Sequence, residues 1–269
     1  MQRIRGALRF FVPFRHFVES CLGRRLPLPS FAVSPPRMPA FAAKGDEDFQ
    51  SAYRGRSAEI FFANDGPVIY KWPHYFAVYD QLLGPLVGTE VRMLEIGVCK
   101  GGSLKLWREF FGPRAVIFGI DIDRRCAAFD GQFASVRIGS QDDSDFLRKV
   151  VAEMGGLDVV LDDGSHVASH QRASFNALFP LLSEGGLYII EDMHTAYWAE
   201  YEGGLRKQGT AVEFLKEKID EMHRHYRNPE LNRPESMPEI ESVQFFDSIA
   251  VVRKRKQLPR FHMPRPSPQ

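Results

Sequence analysis

The feature that most constrains this chain is a regular alternation of short apolar runs with amphipathic stretches. Five runs, each about as long as one buried strand, are separated by segments whose apolar residues recur at helical spacing. The runs lie at residues 91–97, 115–121, 134–139, 157–163 and 185–192. Near-continuous apolar strands that alternate with helices are typical of a parallel sheet covered on both faces. The pattern therefore predicts a doubly wound, Rossmann-like α/β domain.

The segments around these runs predict the remaining elements. Helical spacing occurs at residues 74–87, 101–111, 142–154 and 169–182. After the fifth run, an aromatic and glycine-rich stretch at 193–209 predicts a loop or lid. Residues 211–226 then predict a helix. Residues 241–256 predict a closing antiparallel hairpin that turns at Asp247 and Ser248.

Composition sets the organisation of the chain. Its 269 residues, 44% of them hydrophobic, are enough for one large domain, predicted at 59–256. An N-terminal segment with a proline-rich arm at 1–58 precedes this domain, and a disordered tail is predicted at 257–269. A net charge of +1 gives no overall field that would attract a nucleic acid.

The cysteines and the apolar runs bear on the compartment. Three scattered cysteines without a CxxC pair indicate neither a disulfide framework nor a zinc knuckle, which fits a reducing, cytoplasmic location. No run reaches the roughly 18 apolar residues that a membrane span needs. We therefore expect a cytoplasmic protein.

Residues 1–20 alternate arginines with phenylalanines, and two interpretations are open. The segment fits a basic amphipathic helix in peripheral contact with an anionic membrane, at its inner face. It also fits a helix that docks its aromatic face on the domain or on a second subunit, giving a homo-oligomer. Pro13 interrupts the pattern and favours docking. A transit peptide is a weaker third interpretation.

Polar and acidic residues end the predicted strands, where ligands bind in doubly wound sheets. The strand ends carry Glu95, Gly97, Asp121, Gln141, Asp142, Asp162, Asp163, Glu191 and Asp192. Like charges gathered in one crevice repel each other unless a cation or polar ligand compensates them. The arrangement therefore predicts a ligand site at this edge of the sheet.

The first strand-to-helix turn, "EIGVCKGGS", is rich in glycine, and Gly97 and Gly101 would let the backbone approach a ligand closely. Cys99 takes the place of the second glycine of GxGxxG, which argues against a dinucleotide-dependent oxidoreductase. Asp121 follows Gly101 by 20 residues and is placed to hold ribose hydroxyls.

Several stretches together resemble a known family. They are "KWPHYF", "LEIGVCKGGSLKLW", "FGIDID", "LDVVLDDGSH" and "FPLLSEGGLYIIEDMHTAYW". They resemble the metal-dependent sugar O-methyltransferases of the mycinamicin and macrocin type, which are class I S-adenosylmethionine (SAM) enzymes related to the cephalosporin-hydroxylase-like group. The resemblance covers roughly Lys71 to Arg253. It implies a seven-stranded SAM-binding sheet, a divalent cation, usually magnesium, and methylation of a sugar hydroxyl on a glycoside or polysaccharide.

The resemblance also implies roles for particular residues. The family's metal ligands fall on Asp163, Glu191 and Asp192, and its general base falls on His166. Its SAM contacts fall on Glu95, Gly97, Asp121 and the Gln141–Asp142 pair. Elementary chemistry agrees, because a hard cation held by carboxylates lowers the pKa of a hydroxyl and neutral imidazole accepts its proton. Asp162 is expected either to face the cofactor or to brace the loop.

Two other functions remain open at this point. A catechol-type O-methyltransferase would act on a phenol, although that group normally uses a lysine base and this loop offers His166. A non-catalytic SAM-fold binding module would tolerate loss of His166 without cost.

Overall fold

The computed structural model of the protein describes residues 50–265. The predicted membrane-contacting or docking segment at 1–20, most of the proline-rich arm and the last four residues lie outside this range. No helix within residues 50–265 has the length and apolar character that crossing a bilayer requires.

Seven strands form one sheet, and their bounds follow the predicted runs closely. They are β1 (Arg92–Ile96), β2 (Val116–Asp121), β3 (Ser135–Ile138), β4 (Leu157–Asp162), β5 (Leu182–Ile190), β6 (Ile240–Phe246) and β7 (Ile249–Lys254). Their order across the sheet is β3-β2-β1-β4-β5-β7-β6. Strands β1 to β5 are parallel, whereas β7 runs antiparallel to both β5 and β6. The predicted doubly wound sheet and its closing hairpin are thus confirmed.

Helices cover both faces of this sheet. They are α1 (Arg56–Phe62), α2 (Tyr75–Leu83), α3 (Gly102–Phe111), α4 (Ser144–Met154), α5 (Ala168–Leu178), α6 (Ala211–Met222) and α7 (Arg224–Arg227). Helix α4 begins two residues later than predicted because Asp143 is its N-cap and accepts from the amides of Asp145 and Phe146. The predicted helix at 211–226 is divided at His223, where α6 ends and α7 begins.

Alternate residues along the strands point to opposite faces and build two apolar cores. Met93 packs with the residues of α1, α2 and α3 on one face, around the buried indole of Trp107. Leu94, its neighbour in β1, packs with α4, α5 and α6 on the other face. This period of two explains why strands buried on both faces are almost wholly apolar in sequence.

The predicted loop or lid after β5 is compact. It contains two short 3₁₀ helices, Met193–Tyr197 and Ala199–Tyr201, and buries Met193 and Tyr201 against the domain.

The ordered structure extends beyond the predicted domain bounds at both ends. Helix α1 begins at Arg56, before the predicted boundary at residue 59. In the predicted tail, the side chain of Asn232 bonds both the amide and the carbonyl of Arg260.

Candidate active site

An open cleft lies at the carboxyl ends of β1, β2 and β3, beside the loop that follows β4. Of the residues predicted to contact a cofactor, Gly97, Asp121 and Gln141 line this cleft. Ser165 and His170, from the loop after β4 and the start of α5, line it from the other side. The position is the one at which doubly wound sheets bind their ligands.

Asp121 holds the glycine-rich turn in shape. Its Oδ2 accepts from the backbone amides of Val98 at 3.0 Å and Cys99 at 2.9 Å, and its Oδ1 accepts from the amide of Asp123 at 2.8 Å. Cys99 has a φ of +50°, in the left-handed region. A residue with a side chain therefore adopts the conformation that glycine would favour in the common form of this turn, and the Asp121 carboxylate supports it.

Gln141 connects the loop after β3 to the loop after β4. Its Oε1 accepts from the amide of Ser165 at 2.7 Å, and its Nε2 donates to Asp162 at 3.1 Å. Its side-chain amide therefore mainly connects the two loops, while the residue still forms part of the cleft wall.

Two predicted cofactor contacts, Glu95 and Asp162, are fully buried under the cleft. Glu95 accepts from Ser103 at 2.8 Å and from the indole of Trp107 at 3.0 Å, both in α3. Asp162 is bonded on the opposite face of the sheet. It accepts from Ser174 Oγ at 2.8 Å and from the Tyr188 hydroxyl at 3.0 Å.

Strand geometry explains these positions. Glu95 lies two residues after Met93 and Asp162 two residues after Val160, so each side chain points to the helix layer on its own face. Of the two roles expected for Asp162, the structure shows the bracing one.

The remaining two predicted contacts lie at the edge of the site. Gly101 has a φ of +74°, and a Cβ there would lie 2.7 Å from the ring of Phe129. Asp142 is exposed, accepts from Ser140 Oγ and lies 3.8 Å from His170 Nε2. Gly101 thus shapes the turn, and Asp142 faces the mouth of the cleft beside His170.

A cluster of acidic side chains lies next to the cleft, in the loops after β4 and β5. Asp163, His166 and Asp192 each present one ligand atom, and these atoms lie within 4.8 Å of one another. His166 Nε2 is 3.9 Å from Asp163 Oδ1 and 3.7 Å from Asp192 Oδ2. Asp163 and His166 belong to the cluster, and Gly164 and Ser165 between them line the cleft. One short loop therefore belongs to both sites.

Two residues of this cluster have strained backbones. His166 has a φ of +57° and Asp192 a φ of +54°, and neither is glycine. Such conformations cost about 1–3 kcal/mol each and are concentrated at functional sites. The two strained residues are also neighbours in space, with His166 Nε2 3.7 Å from Asp192 Oδ2.

The structure adds residues that the sequence analysis did not single out. Lys71 donates to Asp163 Oδ2 at 2.6 Å and to Glu191 Oε2 at 2.7 Å. Tyr79 donates to Glu191 Oε1 at 2.5 Å, and Tyr75 donates to Asp192 Oδ1 at 2.7 Å. All three lie in or just before α2. Lys71 and Tyr75 belong to the stretch "KWPHYF", whereas Tyr79 had only the helical spacing at 74–87 as a signal.

Burial and charge determine the electrostatics of the cluster. Burial raises the pKa of Asp163, and Lys71 opposes this shift while Asp192 adds to it. Burial also raises the pKa of Glu191, against the opposing charge of Lys71. Burial alone would lower the pKa of Lys71, but the neighbouring carboxylates outweigh it and raise that pKa. The site therefore keeps one ammonium and still disfavours further negative charge, a condition that a bound cation relieves.

Aromatic side chains from the segment before α2 and from the loop after β5 pack around His194. The His194 ring lies 5.9 Å from the Trp72 ring and 4.9 Å from the Trp198 ring, and His194 Nδ1 is 2.6 Å from Ser248 Oγ. Trp72 and Tyr197 are exposed. Exposed aromatic rings beside a polar cluster form a suitable surface for a partly apolar ligand.

A family model described as a methyltransferase domain matches residues 94–193. This range contains β1 to β5 and the loops that carry both the cleft and the acidic cluster. With the strand order and the antiparallel hairpin, this match shows that the chain has the class I methyltransferase fold.

The relatives are more particular. The chain is 37% identical to 8-demethyl-8-(2-methoxy-alpha-L-rhamnosyl)-tetracenomycin-C 3'-O-methyltransferase of Streptomyces olivaceus, over 68% of this chain and 50% of that protein. It is also 37% identical to mycinamicin VI 2''-O-methyltransferase of Micromonospora griseorubida, over 74% of this chain and 51% of that protein. The chain is thus a relative of the O-methyltransferases of macrolide and tetracenomycin sugars, and it spans about half the length of these relatives.

A solved structure supports the same relationship. The MycE methyltransferase of the mycinamycin biosynthetic pathway, in complex with Mg, S-adenosylhomocysteine (SAH) and mycinamycin VI, superposes with a TM-score of 0.63 at 33% identity. The match covers 77% of this chain and 55% of MycE.

Proposed function

We propose that this protein transfers a methyl group from SAM to a sugar hydroxyl of a glycoside, with the help of a divalent cation. The observation that carries the proposal is the single loop at residues 163–166, which forms part of the cleft and of the acidic cluster together. A methyl donor in the cleft and a hydroxyl at the cluster would then be neighbours, and such alignment is most of what methyl transfer requires.

The cleft is a suitable place for the donor. The glycine-rich turn brings backbone close to the cleft at Gly97, and Asp121 ends β2 at its wall. An acid at that position is placed to hold ribose hydroxyls in this class of fold. The other predicted contacts would support this site. Gly101 shapes the turn, Asp142 lies at the mouth of the cleft, and Glu95 and Asp162 are buried beneath it.

The acidic cluster fits a divalent cation. Asp163 Oδ1 and Asp192 Oδ2 both face His166, and burial raises the pKa values of Asp163 and Glu191. Oxygen ligands of this kind suit magnesium. Asp163 and Asp192 would hold the cation together with Glu191, the third predicted ligand. When bound, the cation would polarise the acceptor hydroxyl.

His166 is the proposed general base. Its ring is buried between Asp163 and Asp192, and it directly follows Gly164 and Ser165, which line the cleft. It would take the proton of the acceptor hydroxyl as the hydroxyl oxygen forms its bond to the methyl carbon and the carbon–sulfur bond of the donor breaks. The two neighbouring carboxylates would stabilise the imidazolium that results.

The aromatic surface formed by Trp72, Tyr197 and Trp198 is a suitable contact for the acceptor. The relatives act on rhamnosyl, olivosyl and macrolide glycosides, according to their names. Such acceptors combine a sugar with a large apolar aglycone, and exposed aromatic rings bind both.

The catechol-type alternative relies on a lysine base. The lysine in this site, Lys71, is bonded to two carboxylates and its pKa is raised, so it stays protonated at neutral pH. This observation favours the sugar O-methyltransferase with His166 as the base.

Replacement of His166 by alanine tests the mechanism. We expect methyl transfer from labelled SAM to rhamnosyl or olivosyl glycosides to slow by about 10²–10⁴-fold, the usual contribution of a general base. SAH binding, measured by calorimetry, should persist because the donor cleft is formed largely by other residues. His223→Ala, at an exposed position beyond α6, is the matched control. A wild-type rate in His166→Ala would remove this residue from the mechanism, whereas SAH binding without transfer by the wild type would favour a non-catalytic module.

A further inference from the structure

Glu202, in the loop after β5, contacts the amino-terminal end of helix α5. Its Oε2 accepts from the backbone amide of Ser169 at 2.9 Å, and its Oε1 accepts from the Ser169 hydroxyl at 3.1 Å. The N-cap residue of α5 is Val167, whose apolar side chain forms no capping hydrogen bond. Because the first amides of a helix have no partners within the helix, Glu202 supplies from another loop the cap that α5 lacks.

His166, the proposed general base, lies directly before this N-cap residue. Its φ of +57° is a strained conformation, which persists only where neighbouring contacts hold it. At one end its loop is held by the sheet, because the amide of Asp163 donates to the carbonyl of Ile96 at 3.0 Å. At the other end the loop continues into α5. A contact that fixes Ser169 therefore also limits the movement of His166, three residues earlier.

The loop after β5 also contacts the imidazole itself. The buried ring of Tyr201 lies 6.1 Å from the His166 ring, in an edge-to-face arrangement. Tyr201 and Glu202 are consecutive residues. One point of the loop after β5 therefore contacts both the proposed base and the helix that begins directly after it.

The backbone around Glu202 is closely packed, so that it provides a firm support. The amide of Gly203 donates to the carbonyl of Trp198 at 2.8 Å, and Lys207 Nζ donates to the carbonyl of Glu202 at 3.0 Å. A Cβ at Gly203 would lie 2.5 Å from backbone atoms of Trp198. Glu202 itself has a φ of +64°, a conformation that is strained for a residue with a side chain. The two hydrogen bonds of its carboxylate help to offset this strain.

We propose that Glu202 is a positioning residue, which holds the start of α5 and thereby fixes the imidazole of His166 for proton transfer. The inference rests on the proposed function, since it concerns the same base. Glu202 does not line the cleft, and its carboxylate is bonded to Ser169. Loss of this carboxylate should therefore slow methyl transfer and leave the binding of the donor unchanged.

Two substitutions of Glu202 in the full chain form a matched pair. Glu202→Ala removes the carboxylate, whereas Glu202→Gln keeps an oxygen that can accept from the Ser169 amide, and both keep a side chain at the strained φ. With Mg²⁺ and rhamnosyl or olivosyl glycosides, we expect kcat to fall by up to about 100-fold in Glu202→Ala, because small displacements of a reacting group are costly. Glu202→Gln should retain most of the rate, since an amide oxygen also caps a helix.

Donor binding separates positioning from general damage to the fold. The Kd of SAH, measured by calorimetry, should be the same in the wild type and in both variants. Glu200→Ala, at an exposed position two residues earlier in the same loop, is the control and should match the wild type in kcat and Kd. A wild-type kcat in Glu202→Ala, or a Kd for SAH that rises together with the loss of rate, would overturn the proposal.

Hydrogen exchange followed by mass spectrometry tests the support without any measurement of activity. Peptides that cover residues 163–170 should exchange faster in Glu202→Ala than in the wild type, because the Ser169 amide loses its acceptor and the start of α5 opens more often. In Glu200→Ala their exchange should be unchanged. Equal exchange in Glu202→Ala and the wild type would contradict the proposal. A wild type that binds SAH but transfers no methyl group would instead refute the proposed function, and the exchange rates would still decide whether Glu202 holds the start of α5.

Discussion

Asp192, in the loop after β5, contacts both helix α2 and His166 of the acidic cluster. Its Oδ1 accepts a hydrogen bond from Tyr75 of α2 at 2.7 Å, and its Oδ2 faces His166. Hydrogen bonds to the ligands of a metal orient them and contribute to affinity. Tyr75 is therefore expected to position Asp192, although its hydroxyl has no part in the chemistry.

Substitution of Tyr75 by phenylalanine should weaken Mn²⁺ binding by about 10- to 100-fold, the usual effect of removing such a partner. Calorimetric titration of Mn²⁺ measures this. Tyr188→Phe is a matched control, since that buried hydroxyl donates to Asp162 at 3.0 Å on the opposite face of the sheet. Equal affinity of Tyr75→Phe and the wild type would show that Asp192 needs no support from α2.

At the scale of elements, the turn after β1 and the loop after β4 are in direct contact. Gly97 has a φ of +99°, and a Cβ at this position would lie 2.1 Å from the carbonyl oxygen of Asp163. Only glycine allows this approach, so the turn after β1 and the loop after β4 are held in one fixed relationship.

Gly97→Ala should therefore cost more than the strain of its backbone conformation alone. Gly112 has a similar φ of +91° but open space around it, so Gly112→Ala isolates the backbone cost of about 1–3 kcal/mol. Gly97→Ala must also move the Asp163 backbone, and its loss of unfolding free energy in urea should be clearly larger. Equal losses in the two variants would mean that the two loops separate at little cost.

At the scale of the whole molecule, Glu95 is a carboxyl group enclosed between the sheet and α3. Burial raises its pKa to about 7, while Lys71 and the Trp107 hydrogen bond oppose the shift. The unfolded chain gives up this proton near the ordinary value of 4.5, whereas the folded protein keeps it until about pH 7. The folded state therefore binds more protons in this window, and its stability falls as the pH rises through it.

Glu95→Gln should remove this dependence of folding stability on pH. The glutamine stays uncharged and retains partners in Ser103 and Trp107. Between pH 4.5 and 7, the variant should gain stability relative to the wild type by up to about 1.4 kcal/mol per pH unit, measured by urea denaturation. Glu90→Gln, at an exposed position, is the control and should run parallel to the wild type. A parallel profile for Glu95→Gln would show that Glu95 is ionised throughout.

The sheet, the covering helices and the hairpin can all be predicted from the amino-acid sequence, because buried strands and amphipathic helices leave periodic patterns of apolar residues. The sequence also predicts which polar residues gather at one edge, because parallel strands end on the same side. Gly97, Asp121 and Gln141 line the cleft as expected, and Asp163 and Asp192 meet at the acidic cluster with His166. The methyltransferase domain predicted from these motifs is confirmed by the matched family model.

Which of these acids are exposed to the site and which are internal depends on the packing of the helices against the sheet. Glu95 and Asp162 end strands like the others, but the pleat turns them toward the helix layers, where Trp107 and Ser174 bond them. Glu191 is enclosed by Lys71 and Tyr79, which lie more than 100 residues earlier in the chain. No local pattern marks such a contact, because it depends on how α2 packs across the ends of β4 and β5. The periodicity of a sequence indicates which face of an element a residue occupies. The partner of a buried charge depends instead on which other element packs against it.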